Sequence, residues 1–466
     1  MNIVIVIIMT LSYVLGNNLP STRKFFQSRQ FVIRKPTNIL EYIISQQDLV
    51  PTNITNPDES IPQLDTPPRD ALSIIDEIEA EIPSLCRQNT FDIHTRQDLD
   101  NIIECEILVG DIVISEYNYP IIIFPKLGKI LGNLTIIKSP ELVRIEAPNL
   151  QIISSKFVLT ELTSLSLISF PLIKFVNVLD WNILPILSNV HFNNEIQGIE
   201  SIRMSDTSLT GFSGFLTDTL ETLDINNNRF LDIIESNVEK IHGKLHIAAN
   251  ANDVKVNLPR LTRVNNLSIN NVETLNLHEL KTVDNSLSLS NNYFQQIRFP
   301  QLKEIGGTLS IYKNENVNHI EFQNLEEISG GLMLNNNSKI DKVNFFPKLK
   351  IIGGALELIG SIKEISFKQL KLIKGSAIVK STSIQFDCNK WLSSSTSEIL
   401  LVVRGGKIEC TNYNNEKFTS KVGRFEDEVS RNANHTISTV KPTFKKTSLG
   451  LRIKPINWLT ILSILL

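Results

Sequence analysis

The chain has 466 residues, of which 42% are hydrophobic and 20% are charged, and its mean hydropathy is 0.00. This hydropathy excludes a protein with many membrane spans. The formal net charge of −3 argues against a nucleic-acid binder, because such proteins carry an excess of Lys and Arg. The four cysteines include no C-x-x-C pair and therefore do not indicate a zinc site.

An uncharged apolar segment opens the chain over residues 3–15. As a helix it would reach only about 20 Å across a hydrocarbon core about 30 Å thick. This predicts a secretory signal peptide in residues 1–16, cleaved near Gly16. No Lys or Arg precedes the apolar run, so a membrane anchor or a buried first strand stays open as the alternative.

A polar leader follows over residues 17–83. It contains several prolines, among them Pro51, Pro57 and Pro62, and one short apolar-periodic run over residues 72–82. This composition predicts a leader that is largely disordered.

The segment between Cys86 and Cys105 carries a helix start signal. Thr95-Arg-Gln-Asp98 resembles a capping box with Asp as its acid, and apolar residues follow at helical spacing through Ile103. We therefore expect a short helix in front of the repeats.

From about Asp111 onward the sequence is periodic. The pattern L-x-L-x-x-N, with Ile in place of the second Leu in three copies, occurs at residues 223–228, 245–250, 287–292, 309–314 and 332–337. Degenerate copies begin near Ile112, Leu134, Phe157, Ile202, Leu267, Leu356 and Ala377, and an irregular copy near Val176 is expected in the one long interval. Neighbouring copies are about 22 residues apart, which predicts thirteen coils.

Each copy contains three short apolar pieces. In the copy that begins at Leu309 they cover residues 309–311, 317–322 and 325–328, and a glycine pair closes the copy. Such short pieces are typical of strands rather than helices. Because one copy cannot bury its own apolar face, the copies must stack. The sequence predicts an all-β fold, a parallel β-solenoid with three strands per coil over residues 84–411, right-handed by the crossover rule.

The repeat also predicts which side chains face inward. In the copy from Leu309 we expect Ile320, Phe322 and Ile328 to face the core, and Glu321, Glu326 and Glu327 to face solvent. Phenylalanines at matching places are expected in the core: Phe299, Phe322, Phe346 and Phe367. The closing asparagines are expected to stack and to satisfy turn backbone groups: Asn228, Asn250, Asn292, Asn314 and Asn337.

The two ends of a solenoid are exposed sheet edges that need caps. Cys86 and Cys105 precede the first coil, and Cys388 and Cys410 follow the last. Four cysteines allow three pairings. We predict the local one, Cys86–Cys105 and Cys388–Cys410, because it closes one loop at each end of the solenoid.

The chain ends on an apolar tail with nothing polar after it. Residues 456–466 are uncharged, and a stop-transfer helix would need about 20 apolar residues and a basic tail. This pattern predicts a GPI-attachment signal over residues 449–466, preceded by a linker and spacer over residues 412–448. The spacer length points to Ser438 as the attachment residue, with Asn434 and Asn432 as alternatives.

Signals at both ends predict export into an oxidising compartment, where disulfides form. In an exported chain the N-x-S/T sequons become candidate glycosylation sites. They lie at Asn53, Asn133, Asn266, Asn336 and Asn434.

Several motifs in fixed order carry a family resemblance. Cys86 and Cys105 with the capping box, the run Gly110-Asp-Ile-Val-Ile, repeats ending in F-P-x-L-x-x-I-G-G, and Phe386-Asp-Cys388 with Cys410 lie between the two terminal signals. This order resembles the fungal GPI-anchored cell-wall organisation proteins, whose repeats are similar to the L domains of insulin- and EGF-type receptors. The resemblance covers about residues 86–411.

The resemblance implies a protein without catalytic activity or cofactor that helps to order the wall, its β-glucan in particular. It implies attachment to the plasma membrane through GPI, with transfer to the wall as a further step, and wall polysaccharide or wall proteins as partners. Vegetative members carry a long Ser/Thr-rich stretch before the anchor, whereas residues 416–448 are short and basic. The sporulation-specific branch, with a role in the spore wall, is therefore the better match.

The residues themselves indicate little catalysis. Acidic residues on neighbouring coils, such as Glu304 and Glu326, or Asp232 and Glu235, are interspersed with lysines, which is typical of a solvated face rather than of a glycosidase carboxylate pair. His242-Gly-Lys-Leu-His246 lacks the Glu of H-E-x-x-H.

Three hypotheses remain: a wall-organising surface protein, a receptor-like ectodomain that binds a glycan or protein, and a polysaccharide-modifying enzyme. Outward positions of the first strand are small or polar, with few aromatic rings: Ser288, Ser290, Ser310, Tyr312, Met333 and Asn335. They argue against a platform for stacking sugars but leave flat contact with a protein open.

Overall fold

The computed structural model describes residues 82–393 and 399–421 of the chain. The predicted signal peptide, all but the end of the leader and the tail with its attachment residue lie outside the described residues. So do the sequons at Asn53 and Asn434, and the predictions made for these segments stay predictions.

The described chain is all-β and winds into a parallel solenoid of about 13 turns with a spacing of about 22 residues. The alternation of the repeat explains it, since Leu287 and Leu289 are buried and the serines between and after them face outward. Leu287 pairs with Leu309, and Leu309 pairs with Leu332, so equivalent residues stack coil on coil. The predicted fold class, including its disulfide caps, is confirmed.

One large sheet runs along the solenoid and contains 24 strands. They are β1 (Arg87–Ile93), β2 (Ile107–Ser115), β4 (Lys129–Leu131), β5 (Leu134–Ile137), β7 (Ile152–Thr160), β9 (Phe175–Leu184), β11 (Ile196–Gln197), β12 (Ser201–Thr207), β14 (Phe215–Leu216), β15 (Thr219–Asn226), β17 (Lys240–Ala248), β19 (Arg263–Asn270), β21 (Thr282–Val283), β22 (Leu287–Ser290), β24 (Glu304–Ile305), β25 (Leu309–Tyr312), β27 (Glu327–Ile328), β28 (Leu332–Asn335), β30 (Ile351–Ile352), β31 (Leu356–Gly360), β33 (Leu372–Ile373), β34 (Ala377–Ser381), β35 (Lys407–Thr411) and β36 (Lys417–Lys421).

Four smaller sheets form a second side of the solenoid. They contain β3 (Ile121–Ile123), β6 (Arg144–Glu146), β8 (Leu167–Ser169) and β10 (Asn189–His191); β13 (Gly211–Phe212), β16 (Ile233–Glu235), β18 (Lys255–Asn257) and β20 (Thr274–Asn276); β23 (Gln296–Arg298) and β26 (His319–Glu321); and β29 (Lys342–Val343) and β32 (Glu364–Ile365).

The coil from Leu309 shows how one turn is built. Its first strand is β25, its second is β26 in a small sheet, and its third is β27, which returns to the large sheet. Ile320, Phe322 and Ile328 are buried, as predicted. Glu326 is exposed, while Glu321 and Glu327 are half-buried on the outer surface.

A left-handed turn follows the first strand in eleven successive coils. The residues with positive φ are Glu116, Lys138, Glu161, Ile183, Asp206, Asn227, Ala249, Asn271, Asn291, Lys313 and Asn336. Asparagine tolerates this conformation, whereas a β-branched residue such as Ile183 is strained by it. The turn therefore belongs to the coil geometry and does not depend on the local residue.

The irregular copy exists, but its first strand does not begin at Val176. Leu179 pairs with Phe157 on one side and with Ile202 on the other. Val176 pairs with Ile153, which itself pairs with Ile130 of β4. Val176 therefore belongs to the last strand of the preceding coil. The pattern is hidden in the sequence because β9 runs without interruption through both positions.

The N-terminal cap covers the first coil. Strand β1 pairs with β2, and helix α1 (Arg96–Ile102) begins at the predicted capping box. The Thr95 side chain accepts a hydrogen bond from the backbone N–H of Asp98, whose carboxylate accepts one from the N–H of Thr95. The Cys86–Cys105 disulfide fixes the 3-10 turn Ser84–Cys86 to the segment after α1.

The C-terminal cap is more elaborate. Strand β35 continues the large sheet beside β34, and β36 then pairs with β35 in the antiparallel direction. Helices α2 (Cys388–Leu392) and α3 (Ile399–Val402) lie between β34 and β35 in the chain, and the Cys388–Cys410 disulfide joins α2 to β35. Because β36 ends at Lys421, the folded region extends past Thr411, the end predicted for the solenoid and its cap.

Candidate functional site

The stacked asparagines are structural. Asn314 is fully buried, and its Nδ2 donates to the carbonyl oxygen of Leu289 at 2.9 Å. Its Oδ1 accepts from the backbone N–H and the Nδ2 of Asn292, each at 3.0 Å. Asn337 repeats this pattern one coil later, with Nδ2 donating to Ile311 and Oδ1 accepting from Asn314. These buried amides satisfy backbone groups between coils.

The phenylalanines at matching places are also structural. The ring centroids of Phe299 and Phe322 are 5.5 Å apart, and those of Phe322 and Phe346 are 5.2 Å apart. Phe367 continues the stack at 6.1 Å from Phe346 and is half-buried. The predicted core position of these rings is confirmed for the three that are fully enclosed.

The described sequons differ in exposure. Asn336 is exposed at one of the left-handed turns, whereas Asn133 and Asn266 are half-buried. The Asn133 Nδ2 donates to Asp111 Oδ1 at 2.9 Å, and its Oδ1 accepts from the N–H of Lys156 at 3.0 Å. Asn336 is therefore the most accessible of the three.

The outward side chains of the first strands form what we call the front face. In its central part Ser268, Ser288 and Ser310 lie side by side in register. Asn270 Nδ2 donates to Ser290 Oγ at 3.0 Å in the next column of the same face. Apart from Tyr312, which is in register with Ser290, these outward side chains are small and polar, as the sequence predicts.

In the coils that precede this central part, the front face carries charged residues. Arg203 lies 3.6 Å from Asp180, and Lys244 lies 2.6 Å from Asp224. His246 is in register with Asp224 on the adjacent strand. Burial lowers the pKa of His246, so its imidazole is neutral at neutral pH. Each of the two ion pairs joins neighbouring coils.

Two of the acidic residues weighed as catalytic groups, Glu326 and Glu235, have structural partners. Lys350 Nζ is 2.6 Å from Glu326, and this hydrogen bond lowers the pKa of the Glu326 carboxyl. Glu235 accepts from Asn257 Nδ2 at 3.3 Å. A general acid needs a raised pKa, which the environment of Glu326 opposes. Across residues 82–393 and 399–421, no group of His, Cys, Asp and Glu has the arrangement of a metal site.

A groove of about 550 Å³ lies between strand β32 and the C-terminal cap. In the described structure β32 is the last strand of the smaller sheets, and we call this groove the C-terminal groove. In other coils a strand of a smaller sheet follows the first strand. In the described part of the coil that begins at Ala377, helices α2 and α3 follow the first strand instead. The groove is lined by Lys363, Glu364, Ile365, Ser366, Phe367, Lys368, Leu370, Gln385, Phe386, Asp387, Lys390, Trp391, Ile399 and Val402.

The groove is lined by both aromatic rings and polar groups. Trp391 is half-buried, and its ring centroid lies 6.4 Å from that of the buried Phe386. Asp387 is the N-cap of α2 and accepts from the backbone N–H groups of Asn389 and Lys390. Glu364 lies 3.5 Å from Lys342. Both groove carboxylates are thus positioned by their own neighbours.

Sequence reasoning missed the C-terminal groove. It noted Phe386-Asp-Cys388 only as part of the cap and did not single out Trp391. The available signal was a tryptophan in a segment where the repeat has stopped, so that no core position in a regular coil accounts for it.

Comparisons with known proteins give the family. The Receptor L domain family matches residues 303–403. Sporulation-specific protein 22 of Saccharomyces cerevisiae is 39% identical over 332 residues, which cover 71% of this chain and 71% of that protein. The chain belongs to the fungal family of GPI-anchored cell-wall organisation proteins.

Other members of this family agree with the assignment. A cell surface GPI-anchored protein of Arthroderma benhamiae is 32% identical over 68% of this chain and 81% of its own length. The cell surface GPI-anchored protein ECM33 of Candida albicans is 32% identical over 68% of this chain and 77% of its own length. No solved structure shows significant similarity to the chain. In the part of the chain that the structure describes, no helix has the length and apolar character needed to cross a membrane.

Proposed function

We propose that this protein is a non-enzymatic surface glycoprotein that organises the fungal cell wall, with the β-glucan layer of the spore wall as its place of action. It is exported, attached at the plasma membrane by GPI on Ser438 or a neighbouring residue, and glycosylated. The support is membership of a family whose relatives are named as cell surface, cell wall and sporulation-specific proteins.

The observation that carries the spore-wall role is the order of similarity among the relatives. Two sporulation-specific proteins of Saccharomyces cerevisiae are 39% and 35% identical to this chain. A cell wall mannoprotein of the same organism is 32% identical over 63% of the chain. The missing Ser/Thr-rich stretch before the tail favours the same branch.

The surface of the solenoid supports a non-enzymatic role. Glu326 is held in an ion pair and Glu235 in a hydrogen bond, and most central positions of the front face are small and polar. A stiff scaffold with many outward polar groups suits contact with wall components over several coils.

Deleting the gene tests this role. We expect spores of the deletion strain to lose β-glucan to washing and to become more sensitive to glucanase, with a smaller effect on vegetative walls. Restoring the wild-type chain should correct both. Intact spore walls in the deletion strain would contradict the proposal, and release of reducing ends from β-glucan by the purified chain would replace it with an enzymatic function.

The anchor is tested separately. Removing residues 456–466 should send the protein into the medium, and phosphatidylinositol-specific phospholipase should release the full-length form from membranes. A truncated form that stays on membranes would show that another segment anchors the chain.

A second candidate function is a receptor-like ectodomain that binds a glycan or protein on its front face. The observation in its favour is the match of residues 303–403 to the Receptor L domain family, together with the flat surface around Ser288 and Ser310. An arginine at Ser310 would project from this surface. If Ser310→Arg no longer binds a protein or glycan that the wild-type chain binds, but still corrects the wall defect of the deletion strain, this function is favoured over wall organisation.

A further inference from the structure

The C-terminal groove offers an aromatic surface and polar groups at the same place. Trp391 and Phe386 form one wall, and Phe367 at the end of the phenylalanine stack contributes to the other. Ser366 and Gln385 add groups that both donate and accept hydrogen bonds. On the front face, by contrast, most central positions are serines and asparagines, and Tyr312 is the aromatic residue among the outward positions named above.

This mixture matches one class of ligand better than others. A pyranose ring has C–H faces that pack on an aromatic ring and an edge of hydroxyl groups that need hydrogen-bond partners. A polyanion would meet the carboxylates of Glu364 and Asp387 beside the lysines. An apolar peptide would cover these charged groups without satisfying them, at a cost in free energy. A neutral glycan avoids both conflicts.

The size and the open strand edge also fit a glycan chain. A volume of about 550 Å³ is within the range of about 300–1,000 Å³ for small-molecule sites, so it holds a short stretch of polymer. Strand β32 pairs with β29 on one side, and in the described structure no strand pairs with its other side. Its backbone therefore adds hydrogen-bonding groups along one rim.

We propose that the C-terminal groove binds a short stretch of neutral glucan chain, with Trp391 as the ring on which a glucose unit stacks. The choice of glucan among neutral glycans rests on the proposed function. The solenoid then holds the glucan at its C-terminal end, and the front face stays available for other contacts.

Calorimetric titration of the full chain with a β-1,3-linked glucose hexasaccharide tests the proposal. We expect binding by the wild-type chain, weakened about tenfold or more in Trp391→Ala and less in Trp391→Phe, which keeps an aromatic ring. Tyr413→Ala is the matched control, because Tyr413 is an exposed aromatic residue of the same cap outside the groove. Thermal unfolding of each variant establishes that the cap is folded.

Three results would overturn the proposal: no binding of the hexasaccharide, equal binding by Trp391→Ala, or tighter binding of a mannose hexasaccharide or an apolar peptide at the groove. Failure of the proposed function is distinguishable. If Trp391→Ala fully corrects the wall defect of the deletion strain, the wall role stands and the groove has no part in it. If the deletion strain has no defect but the groove binds glucan, the wall role fails and the binding site stands.

Discussion

The interior coils and the two caps of this solenoid are stabilised in different ways. Phe322 lies between Phe299 and Phe346 and packs against both, and Asn314 makes hydrogen bonds to the coils before and after it. A cap has a neighbour on one side only, so it uses a disulfide, a helix N-cap or a strand in the antiparallel direction. Repetition stabilises the interior, while the ends need individual devices.

The two caps also differ from each other. The N-terminal cap has one helix, whose Leu99 and Ile102 join the core. The C-terminal cap has two short helices and leaves a groove beside β32. Stacking fixes nearly every residue of a regular coil, whereas the segment between β34 and β35 is free of this constraint. This is why the candidate glucan site lies at an end.

The largest effect is expected for an interior ring. Phe322→Ala removes a fully buried side chain from the middle of a stack, and we expect a loss of about 3–5 kcal/mol of unfolding free energy. Because coils on both sides contact this ring, hydrogen exchange should rise in both directions, over residues 287–352. Denaturant unfolding and exchange mass spectrometry measure the two effects.

The control for Phe322→Ala is Gln323→Ala, since Gln323 is the next residue and is exposed. This surface change should stay within about 0.5 kcal/mol and leave the exchange of neighbouring coils unchanged. Equal losses in the two variants would contradict the assignment of inward and outward faces in this coil.

A cap disulfide is expected to have a smaller and one-sided effect. On the chain-entropy estimate, replacing Cys86 and Cys105 by serine, or Cys388 and Cys410 by serine, costs about 3 kcal/mol in each case, because the two loops have similar lengths. Exchange should rise only in the coils next to the altered cap. A rise in hydrogen exchange that reaches the opposite cap would contradict the independence of the two caps. A much larger loss of unfolding free energy at one end would show that the caps differ in more than loop closure.

The interior was predictable from the sequence because every coil repeats the same physical requirement. The inward position of Ile320 and Phe322 and the stacking of Asn314 and Asn337 follow from alternation and period. The capping box at Thr95 was predictable because it is a local motif. The irregular copy expected near Val176 exists, but its exact start at Leu179 was not predicted because β9 runs without a break through the end of one strand and the start of the next. The C-terminal groove depends on how α2 and β32 meet, and no period encodes that contact.

The smallest effect, and the one that separates the caps most directly, is the response to pH and salt. The hydrogen bond from Lys407 lowers the pKa of Glu409 in the C-terminal cap; burial opposes it and Lys417 adds to it. The Lys407 and Lys417 ammonium groups lie 2.5 and 3.1 Å from the Glu409 carboxylate. In the N-terminal cap, hydrogen bonds from the Thr95 side chain and backbone lower the pKa of Asp98.

Both folded pKa values are below the unfolded ones, so each carboxylate stabilises its cap above about pH 4, and the stabilisation is lost as the pH falls through the folded pKa. Glu409→Gln and Asp98→Asn should each reduce the pH dependence of the hydrogen-exchange protection factors in their own cap. Raising the salt concentration from about 0.1 M to about 1 M should weaken the contribution of Glu409, whose partners are charged, more than that of Asp98, whose main partners are neutral donors. Glu315→Gln is the control, because Glu315 is exposed and lies in a coil between the two caps. Equal salt sensitivity at the two ends would mean that the lysines do not hold Glu409 by charge, and that the antiparallel hairpin stabilises the C-terminal cap without them.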